Sequence, residues 1–177
     1  MSFRRFIPFL AAFVLPLVVV YAWWGGFSPV EISPGQVRGP YTYAYVEHQG
    51  DYAKLPDQQA QVEKALLAAQ IAPGHAITVL YSNPDVVSMG DRIARIGYLV
   101  PAGTTVAEPV RLDTIPARPV LLVTVRAAVL LAPSRAYQAL DKYMQAKGQG
   151  IRMPTVEIYQ PSASAFAMGN LAVEMPE

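Results

Sequence analysis

The chain has 177 residues, 53% of them hydrophobic, with 14 Lys and Arg against 13 Asp and Glu. That length suits one domain plus a short extra segment, and a balance so close to neutral gives no electrostatic drive toward phosphate backbones, which sets nucleic-acid binding aside. Cysteine is absent, which excludes disulfides, thiol catalysis and cysteine metal sites.

Arg4 and Arg5 are the only charges in the first 27 residues. From Phe6 to Trp24 the sequence is uncharged and largely apolar. As a helix such a run spans about 28 Å, close to the hydrocarbon thickness of a bilayer. The two arginines before it favour an N-terminus inside and the remainder outside, and Trp23 and Trp24 fall where an interfacial aromatic belt would sit. Pro8 lies near the start and Pro16 is a candidate kink. Residues 1–27 therefore predict a single-pass membrane anchor carrying an extracytoplasmic domain, periplasmic in a Gram-negative cell. A cleaved signal peptide is the alternative, with Val20-Tyr21-Ala22 as a weak site.

Residues 28–40, punctuated by Pro29, Pro34, Gly35, Gly39 and Pro40, predict an extended linker. The domain is expected over 41–177. Tyr41, Tyr43 and Tyr45 alternate with Thr42, Ala44 and Val46, the period of a strand that Gly50 breaks. Val62, Ala65, Leu66 and Ala69 follow helical spacing between Asp57, a capping candidate, and Pro73-Gly74. Ala76 to Tyr81 predicts a strand, Ser82-Asn83-Pro84-Asp85 a turn, and Asp91 to Val100 the second arm of the hairpin.

The order then repeats. Pro119 to Arg126 predicts a strand. Ser134 is placed to cap a helix burying Tyr137, Leu140 and Met144, and Gly148 to close it. Thr155 to Tyr159 and Ala167 to Met175 predict two more strands. A gapless offset of 78 residues lays Tyr81 on Tyr159, Val62 on Leu140, Leu66 on Met144 and His48 on Arg126. The expected fold is α+β: duplicated strand-helix-strand-strand units forming an antiparallel sheet with two helices on one face. The other face, or the seam between the halves, is left free to bind something.

Four segments resemble the GyrI-like (gyrase-inhibitor-like) small-molecule-binding superfamily, which includes the effector-binding domain of AraC-type regulators. His48-Gln49-Gly50-Asp51-Tyr52 is similar to its turn into the first helix, and Leu80-Tyr81-Ser82-Asn83-Pro84 to its strand ending in Asn-Pro. Ala136-Tyr137-Gln138-Ala139-Leu140 with Tyr143-Met144 is similar to its second helix, and Pro154-Thr155-Val156-Glu157-Ile158-Tyr159 to its late Glu-x-Tyr strand. The resemblance covers about Gly39 to Glu177. It departs at Ala128-Val129-Leu130, where a second Gly-Pro-Tyr would stand, and the DNA-binding helices of the regulators are not found. It implies a stand-alone binder whose cleft places Glu157 against cationic or polar aromatic ligands.

The residues agree with that implication. Alternation puts Val156 and Ile158 on one face of their strand and Glu157 and Tyr159 on the other. A carboxylate in a tyrosine-lined cleft is desolvated, so its pKa rises until a ligand cation compensates it. Tyr45, Tyr52, Tyr81, Tyr98 and Tyr159 are the candidate walls, where each aromatic face can add about 0.5–2 kcal/mol to a bound cation. Core packing of these tyrosines, and a solvated edge-strand position for Glu157, are the plain alternatives. His48 and His75 have no ligand-like spacing, so no metal or cofactor is expected. Asp113 has no evident partner. The expected function is binding of small amphipathic or cationic molecules, membrane-anchored through residues 6–24. The alternatives are a hydrolase of reactive small molecules using Glu157 as general base and a structural partner-binding domain.

Overall fold

The computed structural model describes residues 7–161 and 168–177. In chain order the elements are α1 (Ile7–Trp23), β1 (Val30–Arg38), β2 (Tyr41–Gln49), α2 (Leu55–Ala68), β3 (Ala76–Leu80), β4 (Ile93–Leu99), β5 (Arg111–Ile115), β6 (Arg118–Ala127), α3 (Ala132–Gln145), β7 (Thr155–Gln160) and β8 (Gly169–Pro176). All eight strands form one antiparallel sheet in the order β1-β6-β8-β7-β3-β4-β2-β5. The architecture is α+β, as the sequence predicts.

The 78-residue offset carries β2 onto β6, α2 onto α3, β3 onto β7 and β4 onto β8, to within two or three residues at each end. It also carries β1 onto the region of β5, so each unit has one more strand than expected: strand-strand-helix-strand-strand. Exchanging equivalent strands reverses the sheet order onto itself, with the symmetry point between β7 and β3. The first strand of each unit pairs with the other unit, β1 on β6 and β5 on β2, so the two halves are interlocked.

Both overlooked strands lie at the sheet edges. Pro34-Gly35 interrupts the β1 register between Ser33 and Gln36. Such a break is tolerated at an edge, where one side of the strand needs no ladder bonds. Residues 30–38 are therefore sheet rather than linker. β5 is short and carries Arg111 and Asp113, which hides its period from the sequence.

Helix starts also differ in detail. Asp51 caps a 3-10 turn at Tyr52–Lys54, accepting from the Ala53 amide at 2.9 Å, and α2 follows with Asp57 inside its first turn. Ser134 sits within α3, whose N-cap is Leu131, and its hydroxyl donates to the Leu131 carbonyl at 3.0 Å.

The membrane expectation is overturned. α1 has 17 residues, about 26 Å of helix, and among the described residues no helix is long and apolar enough to cross a membrane. The anchor through residues 6–24 and the single-pass placement of an extracytoplasmic domain go with it. Arg4, Arg5 and Phe6 lie outside the described residues. The helix ends because Gly25 turns the chain at φ +81°, a conformation disfavoured for other residues. It turns directly against β6: a Cβ on Gly25 would stand 2.7 Å from the Arg126 carbonyl. The Ala128 amide donates to the Trp24 carbonyl at 2.8 Å, and the Arg135 guanidinium of α3 donates to the carbonyls of Gly26 and Ser28. The end of α1 is thus tied to the domain, while Phe13, Leu17 and Trp23 stay exposed.

Candidate functional site

α2 buries Leu55, Val62 and Leu66 and packs on β2 and β4. α3 buries Ala132, Ala136, Leu140 and Met144 and packs on β6, β8 and β1. The central strands β3 and β7 run between the two helices, as the floor of a trough at the symmetry point.

Register fixes what lines that floor. In one row across the sheet, Tyr98 of β4 pairs with Ala76 of β3, which pairs with Tyr159 of β7. In the next row, Ile96 pairs with Thr78 and Thr78 with Glu157. The small side chains Ala76 and Thr78 leave a depression between larger neighbours. Thr155, Glu157 and Tyr159 alternate onto the helix face. Val156 and Ile158 pack on the opposite face with Tyr43, Tyr45, Ile77 and Val79. The alternation expected around Glu157 is the alternation found.

Desolvation pushes the Glu157 carboxyl from its ordinary 4.5 up to about 7, and a hydrogen bond from the Tyr137 hydroxyl pulls it part of the way back. That hydroxyl also lies 2.7 Å from Thr155 Oγ1. Burial, and then the adjacent Glu157 charge, hold the Tyr137 phenol well above its ordinary value. Tyr52 completes the group. Its hydroxyl is shared between the carbonyls of Ser82 at 3.1 Å and Ile93 at 2.9 Å, and the Arg92 guanidinium stands 5.8 Å from its ring centroid. Tyr52, Tyr137 and Met153 pack together against Leu55, Leu80, Ala94 and Ile96.

The predicted walls divide between the two faces. Tyr52, Tyr98 and Tyr159 share the helix face with Glu157. Tyr98 stands on the α2 bank, its hydroxyl donating to Glu63 Oε2 at 3.2 Å, and Tyr159 packs against the α3 core. Tyr45 and Tyr81 lie on the opposite face. There the Arg95 guanidinium stands 4.8 Å from the Tyr45 ring centroid and 5.2 Å from that of Tyr81, with Asp113 paired to it at 2.6 Å. Their aromatic faces already hold a cation from the chain itself, and Asp113 thereby finds its partner. Strand parity is the reason: Tyr45 shares its face with Tyr43, and Tyr81 continues the face of Ile77 and Val79.

Tyr137 and Thr155 stand beside Glu157 although the sequence does not single them out for a site. Helical spacing places Tyr137 in the helix core, and its hydroxyl, a polar tip on an otherwise aliphatic face, is the available signal. Tyr137 also walls a cavity of about 340 Å³ with Leu80, Pro133, Ile151 and Met153, on which Asp85 and Asp141 supply carboxylates. Its volume is that of a small-molecule pocket. His48 serves the turn, its Nε2 lying 2.9 Å from the Asp51 carbonyl. Among the described residues no cluster of three or more metal-ligating side chains occurs.

The fold is a duplicated, helix-flanked sheet with a trough at its symmetry point. Solved structures share it. The chain superposes on the EcmrR C-terminal domain with a TM-score of 0.55 at 13% identity, covering 84% of this chain and 95% of that one. It superposes on SAV2435 bound to tetraphenylphosphonium with a TM-score of 0.53 at 10% identity, covering 83% and 93%. Against EcmrR in a DNA complex the TM-score is 0.64 at 10% identity, over 98% of this chain, which spans 66% of that protein's length. No family model matches the chain, and no curated protein matches it in sequence.

Proposed function

We propose that the chain binds small amphipathic cations in the trough between α2 and α3, with Glu157 facing the positive group and Tyr52, Tyr98, Tyr137 and Tyr159 around it. The observation that carries this reading is the state of Glu157. It is a half-buried carboxylate whose pKa is lifted to about 7 by desolvation, with a hydroxyl rather than a cation as its partner. Such a group gains most from an arriving cation, because the desolvation cost is already present in the empty site. The fold neighbour SAV2435, bound to the cation tetraphenylphosphonium, is consistent with this ligand class. The domain responsible is the folded body from β1 onward.

Calorimetric titration with tetraphenylphosphonium tests the reading. A charge-assisted contact contributes about 1.5–3 kcal/mol, so Glu157→Gln is expected to weaken binding roughly 10- to 150-fold. A neutral triphenyl compound should bind both proteins alike. Equal tetraphenylphosphonium affinity in the two proteins would remove Glu157 from the site.

A further inference from the structure

We propose a second binding site, for a small organic anion with an apolar body, on the sheet face opposite Glu157. A cavity of about 660 Å³ opens there over β1, β6, β8 and β7. This is within the range of small-molecule pockets.

Two adjacent rows of the sheet build it. Arg126 pairs with Asn170 and Asn170 with Gln160, so a guanidinium and two side-chain amides stand side by side on three neighbouring strands, about 4.8 Å apart. Thr124, Ala172 and Ile158 form the next row on the same face, one residue pair inward. The first row offers donors for an anionic head group and the second a low, largely apolar floor for the body of the ligand. Arg is suited to such a head group because its planar fork matches a carboxylate or sulfonate.

The charge balance favours an anion. Arg126 and Arg38 line the cavity, and the carboxylate that lines it is Glu31, the register partner of Thr124. Arg38 is bonded to Glu174, but that buried carboxylate also takes Arg118, so the three residues together keep one positive charge. Arg126 makes no ion pair among the described residues, and the residues outside them contain no Asp or Glu to supply one. The trough on the opposite face has the reverse character, with Glu157 above β7 where Ile158 and Gln160 lie below it. One strand thus floors two sites of opposite preference.

The test uses the full chain and two probes of the same shape, 2-naphthoate and 2-naphthylmethylammonium, titrated by calorimetry into wild type, Arg126→Ala and Glu157→Gln. Arg126 is exposed, so its substitution leaves the core intact, and thermal unfolding checks this. Naphthoate affinity is expected to fall tenfold or more in Arg126→Ala and to stay unchanged in Glu157→Gln. Wild-type naphthoate binding in Arg126→Ala, loss of it in Glu157→Gln, or no binding to the wild-type chain at 10-millimolar order would each overturn the proposal. The ammonium probe reports separately on Glu157, so the two sites stand or fall independently.

Discussion

Thr78 and Glu157 are register partners across β3 and β7, the strand pair at which the two halves of the chain meet. One contributes a short hydroxyl, the other a carboxylate. The seam between the halves is therefore unequal on its helix face, with the carboxylate supplied by β7 alone.

The pH dependence of ligand binding follows from the raised pKa. In the proposed site Glu157 is expected to hold a cation best when ionised, and its carboxyl is pushed up to about 7 in the empty protein. Tetraphenylphosphonium affinity is expected to rise between about pH 5.5 and 8 and to level off above. Binding near pH 6.5 should release a proton, visible as a buffer-dependent calorimetric enthalpy. Glu157→Gln should bind with a flat profile over the same range.

Stability moves in the opposite sense. Between the ordinary value of 4.5 and the folded value of about 7 the native state holds a proton that the unfolded chain has lost. Stability contributed at this residue therefore falls as pH rises through that window, and the deficit is complete above about pH 7. Glu157→Gln is expected to stabilise the free protein by about 1–2 kcal/mol at pH 8, a figure reduced for partial solvent access, and to change little at pH 4. Urea unfolding at the two pH values measures the difference.

Tyr137 tunes the carboxylate. Its hydroxyl hydrogen bond favours the ionised form of Glu157, so Tyr137→Phe should raise the Glu157 titration midpoint further. Carboxyl carbon NMR of glutamate-labelled protein reads that midpoint directly. An unchanged midpoint would show that the Thr155 contact alone occupies the hydroxyl.

Glu174 anchors the other face. It is wholly buried and accepts from Arg38 at 3.0 Å, Arg118 at 3.0 Å and Tyr41 at 2.6 Å, joining β1, β6 and β2 to β8. Removing one member of a buried, hydrogen-bonded charge group leaves the others uncompensated. Glu174→Gln is expected to cost about 3 kcal/mol in chemical denaturation, with tetraphenylphosphonium affinity of the folded fraction preserved.

Gly97 is a packing constraint in β4. A Cβ there would stand 1.8 Å from the Ala44 carbonyl oxygen, which belongs to backbone and cannot swing aside. Gly97→Ala is expected to destabilise by about 3 kcal/mol through forced separation of β2 and β4, and a lowered thermal midpoint would show it.

Local periodicity determined much of this protein. The alternation of Tyr41 to Val46, the helical spacing of Val62 to Ala69 and the 78-residue offset predicted α2, α3, six of the strands and the duplication, because each depends on neighbours two to four residues apart or on a fixed repeat. The face of Glu157 on β7 was legible for the same reason. Tertiary structure decided the rest. The edge strands β1 and β5 acquire their conformation from partners more than 60 residues away, and Pro34-Gly35 conceals the first of them. Tyr45 and Tyr81 were separated from Tyr52, Tyr98 and Tyr159 by strand pairing, since composition cannot say which face of a sheet a residue will share. The end of α1 was fixed by Arg135 and by contact of Gly25 with β6, long-range interactions that hydropathy does not register. A periodic pattern states which side chains lie together on one element; only the register between elements states what they meet.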